Sequence, residues 1–259
     1  MGRWLKPALA LMTDLWLIGI GTGHPSHVTL EGRRALQEAA TVLIPEKGTG
    51  KEDLAHLRRA ILDDAGAQPV VIPFQMPVRD DSLPYQSRVA QWHDAIAQRW
   101  QEALATAPDG PVALLVWGDP GLYDSTLRIA DRLAPKPRLR VIPGITAMQA
   151  LTAAHAIPFN TVGGAVTVTT GRRLRDHGWP EGAESVVVML DGGCSFQGLD
   201  PDGLYIWWGA FLGMPEQVLD HGPLSQVAAR IVETRARERA RHGWIMDTYL
   251  LRRTDAPDR

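Results

Sequence analysis

A chain of 259 residues is long enough for one large domain or two modest ones, each with its own core. With 45% hydrophobic and 22% charged residues it has the composition of an ordinary soluble globular protein, and a net charge of −2 gives no reason to expect a nucleic-acid surface. The single cysteine, Cys194, excludes an internal disulfide and fits a reducing compartment, so the expected location is cytoplasmic; no run reaches the length of a membrane span, so no membrane partner is expected.

In residues 1–11, Arg3 and Lys6 precede a short apolar run from Ala8, a weak likeness to an export signal that Asp14 interrupts. The segment is read as an irregular extension, with the body of the fold opening at Met12. Residues 15–20 are apolar and predict the first core strand. Residues 29–40 have helical composition, 41–44 are β-branched and apolar, and 70–73 form another short run of that kind. Between 86 and 104, Val89, Trp92, Ile96, Trp100 and Leu104 recur at helical spacing, which predicts one buried stripe. Residues 112–117 are apolar throughout, as in a strand covered on both faces of a parallel sheet. Ser125 is the expected N-cap of a helix carrying Leu127, Ile129 and Leu133. A strand at 140–143 and a helix at 146–156 follow. This alternation predicts an α/β domain with a mostly parallel sheet over 12–157.

After Ile157-Pro158-Phe159-Asn160 the pattern changes. Strands are expected at 166–170, 185–190, 204–208 and 244–251, with a long helix at 225–242. Val227, Ala228 and Ile231 supply the apolar side of that helix, and the basic run from Arg235 to Arg241, broken by Glu238, is read as its solvated face. Strands outnumber helices here, so a second α/β domain with a mixed sheet is placed over 159–259.

Three loops carry the chemical signal. Gly19-Ile20-Gly21-Thr22-Gly23-His24-Pro25 leaves the first strand with glycines that let backbone approach a ligand. A tight turn without ligand and a dinucleotide site both remain open for this motif, the latter supported by Glu46 after the second strand. Against a nicotinamide site, His24 takes the place of the third Rossmann glycine and Pro25 follows it. Trp117-Gly118-Asp119-Pro120-Gly121-Leu122-Tyr123 follows a buried strand, where Asp119 could accept from ribose hydroxyls or an amine. Pro143-Gly144-Ile145-Thr146-Ala147 follows another strand and opens a helix. Loops of this kind at the carboxyl ends of neighbouring strands converge on one crevice.

In this order, Gly-x-Gly-x-Gly-x-Pro, Gly-Asp-Pro and Pro-Gly-Ile-Thr-Ala resemble the tetrapyrrole methylases. The resemblance runs from Met12 to Arg253. It is strongest toward the deacetylating member of cobalamin biosynthesis in the segments beginning Thr169-Thr170-Gly171, Val188-Met189-Leu190, Ile206-Trp207-Trp208 and His242-Gly243-Trp244. It implies two α/β domains, an N-terminal mostly parallel sheet and a C-terminal mixed sheet, with a cofactor cleft between them. It further implies a homodimer, S-adenosylmethionine as methyl donor with S-adenosylhomocysteine as product, no metal, and a tetrapyrrole as small-molecule partner. The implied reaction is methylation at C1 of precorrin-5 with loss of acetate. A different tetrapyrrole such as uroporphyrinogen III is the alternative within the family; a nicotinamide oxidoreductase and a precorrin carrier lie outside it.

Carried over by position, the resemblance implies cofactor contacts from Pro25, Trp117, Gly118, Asp119, Leu122, Thr146, Ala147 and Met189. Gly209 or Gly213 would add backbone, and Ile245 and Met246 apolar surface. The carboxylate arms of a tetrapyrrole call for cations, and Arg172, Arg173 and Arg175, after a strand of the second domain, are the candidates. Loss of the acetyl group needs water activated by a base, for which His24, Tyr123 and Asp124 are the candidates, with Asp191 nearby. As a lone thiol, Cys194 is assigned to packing.

Overall fold

The computed structural model describes residues 13–46, 52–80, 82 and 84–254. The extension 1–11 lies outside the described residues. The chain divides into two compact units. Of the described residues, 13–19 together with those of Thr29–Pro143 form the first; Ile20–Val28 and 144–254 form the second.

The first unit is built on five parallel strands, β1 (Asp14–Gly19), β2 (Thr41–Glu46), β3 (Val70–Gln75), β4 (Val112–Val116) and β5 (Arg138–Ile142), in the order β3-β2-β4-β1-β5. Helices α1 (Leu30–Glu38), α2 (Glu52–Asp64), α3 (Tyr85–Leu104) and α4 (Thr126–Ala130) connect them. All five residues of β4 are buried, as its unbroken apolar run requires. From α3, Ile96 and Trp100 of the expected stripe are buried in the core with Leu15, Leu17, Leu43 and Leu114.

Helix α2 is an element that sequence patterning does not single out, although Ala55, Ile61 and Leu62 form its buried inner side. Ser125, the expected cap of α4, makes no side-chain capping bond; the carboxylate of Asp124 accepts from the Thr126 N–H and hydroxyl instead.

The strand order creates one topological singularity. The crossover from β1 passes β4 to reach β2, and the crossover from β4 passes β1 to reach β5. Neighbouring strands β1 and β4 therefore feed connections running in opposite directions, which opens a crevice at their carboxyl ends. Gly19 and Val116 are register partners there. The glycine motif and the Gly-Asp-Pro motif leave from these two adjacent strand ends.

The second unit has a mixed sheet in the order β6-β7-β10-β8-β9. Strands β6 (Val166–Thr170) and β7 (Ser185–Met189) are parallel, whereas β10 (Asp247–Arg253) runs antiparallel to β7 and to β8 (Leu204–Ala210). The edge strand β9 (Val218–Pro223) is not visible in the residue pattern: Asp220, His221, Gly222 and Pro223 are poor strand formers, tolerated at an edge. Both faces are covered. Val186, Val188, Tyr249 and Leu251 enter one core cluster, while Val187 and Leu250 enter the other, as the two-residue period of a strand dictates.

Helix α5 (Ala147–Ala154) packs Ala150 and Leu151 against Val187 and Leu250. That packing groups it with the second sheet, so the division falls after Pro143 instead of near 158. Helix α6 (Gly171–His177) follows β6 directly, and α7 (Leu224–His242) precedes β10. The basic run on α7 departs from expectation. Val227 and Ile231 are buried, and so are Arg235 and Glu238, which continue the same face at helical spacing.

Candidate active site

In the first unit the site residues sit on the turn after β4. Gly118 has φ +62°, a conformation open to glycine at little cost, and it turns the chain at the strand end. The Asp119 carboxylate accepts from the Gly121 N–H at 2.7 Å, which shapes the turn, and its backbone carbonyl accepts from Leu122 N–H. Tyr123, at φ +49°, is exposed. Asp124, a base candidate, spends one carboxylate oxygen on capping α4.

Behind this turn stands a residue the motifs do not announce. Arg58 of α2 is buried, donates from Nε to the Leu115 carbonyl at 3.3 Å and lies 5.4 Å from the Trp117 ring centroid. Burial pulls its guanidinium down to about 10, opposed by the charge of Asp124.

In the second unit, Ile20–Val28 does not behave as a dinucleotide loop. The glycines do not open a helix; the chain makes a 3-10 turn at Pro25–His27, and α1 begins only at Leu30. In the first unit Glu46, which supported the dinucleotide reading, accepts from Gln75 at 2.8 Å. His24 caps the 3-10 turn, its Nδ1 accepting from the Ser26 N–H at 3.1 Å, so that lone pair is engaged. Pro25 is half-buried beside it.

Thr146 is the N-cap of α5 in a reciprocal capping box with Gln149, and Ala147 opens the helix. Met189 ends β7 half-buried, and Leu190 after it stands 67% exposed at φ +54°. Gly209 lies within β8; a Cβ there would meet Leu212 at 2.6 Å and Leu151 at 2.9 Å, so the missing side chain makes room for the core. Gly213 follows at φ +77°, with its N–H donated to the Gln217 side chain. Ile245 packs on the core and Met246 accepts from the Phe211 N–H.

Five described non-glycine residues have positive φ. Tyr123, Leu190 and Phe211 among them each lie within two residues of an expected cofactor contact. Such conformations cost about 1–3 kcal/mol and cluster where geometry serves binding.

The arginine candidates lie on α6 and not on a loop. Arg172 and Arg173 are exposed in its first turn, while Arg175 pairs with Asp176 at 3.0 Å.

A buried polar cluster, missed by motif reading, joins the ends of β7, β8 and β10. Arg235 grips Asp247 with two bonds and donates to the Asp191 carbonyl, and Trp208 Nε1 donates to Asp247. The Asp191 carboxylate accepts from Tyr249 hydroxyl, Ser195 hydroxyl and the N–H groups of Gly193 and Ser195. Fully engaged in this way, Asp191 is a structural anchor and not a free base. The spacing of Arg235 four residues after Ile231 is the signal that could have found it.

A family model for Tetrapyrrole (Corrin/Porphyrin) Methylases matches residues 14–228. The chain belongs to that family. This tetrapyrrole methylase is 43% identical over 255 residues, 95% of its length and 97% of the relative's, to the precorrin-6A synthase [deacetylating] of Sinorhizobium sp. Its fold matches the crystal structure of a cobalamin synthesis related protein (CobF) from Corynebacterium diphtheriae with a TM-score of 0.81 at 39% identity, over 94% of this chain and all of that one. It shares its fold with the uroporphyrin-III C-methyltransferase of Thermus thermophilus complexed with S-adenosyl homocysteine (TM-score 0.55, 19% identity, 92% of this chain and 96% of that one). Family membership makes the chain a methyltransferase and removes the oxidoreductase alternative. Among the described residues no group of histidine, cysteine or acidic side chains could hold a metal ion, and no helix is long and apolar enough to cross a membrane.

Proposed function

We propose that this tetrapyrrole methylase uses S-adenosylmethionine to methylate C1 of precorrin-5 and releases the extruded acetyl group as acetate, giving precorrin-6A. The observation that carries this reading is the near full-length identity to the deacetylating synthase. The S-adenosyl homocysteine bound by the Thermus thermophilus enzyme supports the choice of cofactor.

The residues present suit such a group. Asp119 offers a carboxylate acceptor at the topological switch point, Gly118 keeps the adjoining backbone bare, and Met189 and Leu190 offer apolar surface. When bound, the cofactor supplies an electrophilic methyl group on a sulfonium.

The chain's own residues bind and align. Asp119 holds polar groups of the cofactor, and Trp117, Leu122, Thr146, Ala147, Ile245 and Met246 add contact surface. Alignment of this kind is worth about 7–11 kcal/mol, and an electron-rich enamine-like carbon needs no strong base for alkylation. Arg172 and Arg173 serve the carboxylate arms of the macrocycle. The same reading includes a homodimer working in the cytoplasm, with no nucleic-acid or membrane partner.

The test is calorimetric titration with S-adenosylhomocysteine against an NADH control, followed by turnover with precorrin-5 and S-adenosylmethionine. The proposal expects binding of S-adenosylhomocysteine alone, and equimolar acetate and S-adenosylhomocysteine in turnover. No turnover of precorrin-5 beside methylation of uroporphyrinogen III would place the activity on another tetrapyrrole, and a methyl gain on precorrin-5 without acetate would overturn the deacetylating reading.

A further inference from the structure

The loop at 20–28 holds an imidazole that the motif reading passed over. His27 is half-buried, and its Nδ1 lies 2.9 Å from the Thr22 hydroxyl. Two glycines from separate segments make its place. A Cβ on Gly21 would fall 2.4 Å from His27 Cβ, and one on Gly213 would fall 2.5 Å from His27 Cε1 and 2.9 Å from Nδ1. Both glycines have positive φ, so neither position accepts a side chain without strain. The ring is thus wedged at its Cβ and its Cε1 edge and tethered at one nitrogen. Among the described residues Nε2 carries no hydrogen bond, and it is not among the sealed, unsatisfied polar atoms. A held imidazole with one open nitrogen is the arrangement a proton acceptor needs.

His24 differs on each count. It is exposed, and its Nδ1 is spent on the Ser26 N–H.

We propose that His27, oriented by Thr22 and seated between Gly21 and Gly213, is the general base for hydrolytic loss of the acetyl group. This rests on the deacetylating reading given above. With the Nδ1 proton donated to Thr22, Nε2 presents a lone pair. A water oxygen bonds to the acetyl carbonyl carbon while one water proton passes to Nε2. The carbon–carbon bond to the macrocycle breaks, acetic acid departs, and the electron pair stays on the ring carbon, which is the carbon that takes the methyl group. Burial, and secondarily the charge of His24 at a ring distance of 5.9 Å, lowers the pKa of His27 from its ordinary 6.5, so the imidazole is neutral at pH 7. No other charged group acts on it strongly among the described residues.

The experiment compares wild type with H27Q in acetate release across pH 5–8, with affinity for S-adenosylhomocysteine measured by calorimetry. A positioned general base contributes about 10²–10⁴-fold. H27Q should lose at least a hundredfold in acetate release and lose the fall in rate on the acid side, while its affinity for S-adenosylhomocysteine stays within threefold. T22V, which leaves the ring but frees Nδ1, should give a smaller loss with the acid limb displaced. Acetate release in H27Q within threefold of wild type overturns the proposal, as does a loss matched by the loss of S-adenosylhomocysteine affinity. Wild-type turnover without acetate fails the underlying reading instead.

Discussion

Arg235 and Asp247 form a buried two-point ion pair, with Nε 2.8 Å from one carboxylate oxygen and a terminal nitrogen 3.2 Å from the other. Asp247 follows Met246, Trp208 that bonds it precedes Gly209, and the Asp191 carbonyl held by Arg235 lies two residues after Met189. Three segments that carry expected cofactor contacts therefore leave from one cluster. Removing one partner of a buried pair costs about 3–5 kcal/mol, because the other charge is stranded. D247A should lose stability of that order in urea unfolding, and the R235M/D247L double variant should lose less than either single change.

Gly171 and Asp191 make a tighter demand. A Cβ on Gly171 would lie 2.3 Å from the Asp191 carboxylate, whose four hydrogen bonds leave it nowhere to move. G171A should cost about 1–3 kcal/mol by overpacking. Folding of G171A with wild-type stability would show that this contact relaxes.

Asp119 tests the other unit. Loss of a charged acceptor is worth about 1.5–3 kcal/mol, or roughly tenfold to a hundredfold in affinity. D119A should weaken S-adenosylhomocysteine binding by that factor in calorimetry, with its melting temperature close to wild type.

Acid should destabilise the fold through histidines. Burial is the first cause lowering the pKa of His93 and of His155, with nearby arginines adding to it for His93. A histidine whose folded pKa lies below its unfolded value binds fewer protons folded than unfolded. Stability is therefore whole above the unfolded pKa of 6.5 and falls as the pH drops from there toward the lowered folded values. His93 is 4% exposed with Nε2 unpartnered among the described residues. H93L should flatten the loss between pH 7 and pH 5 in denaturant unfolding.

Cys194 should be silent. Burial pushes its thiol up to about 11, so at pH 8 almost no thiolate exists. A thiol-specific reagent should label the native protein only at the rate of unfolding, and labelling within seconds would contradict this burial.

Much of the fold was legible because it is written in local periodicity. The unbroken apolar run of β4, the stripe on α3 and the valine run of β7 each follow from which faces a strand or helix must bury. The three glycine loops were legible because turns need glycine, and their order identifies the family. The resemblance supplied expected roles for Pro25, Asp119 and Met189, which periodicity cannot supply. Tertiary structure alone decided the rest. Strand order is set by crossovers between distant segments, so only the folded sheet shows that β1 and β4 are neighbours feeding opposite connections. Arg235 reads as one more surface arginine until the ends of β7, β8 and β10 close around it. His27 is a plain loop residue until Gly213, nearly two hundred positions away, leaves its edge bare. A side chain's burial and partners depend on chain that meets it from elsewhere, and that information is not local to its own stretch of sequence.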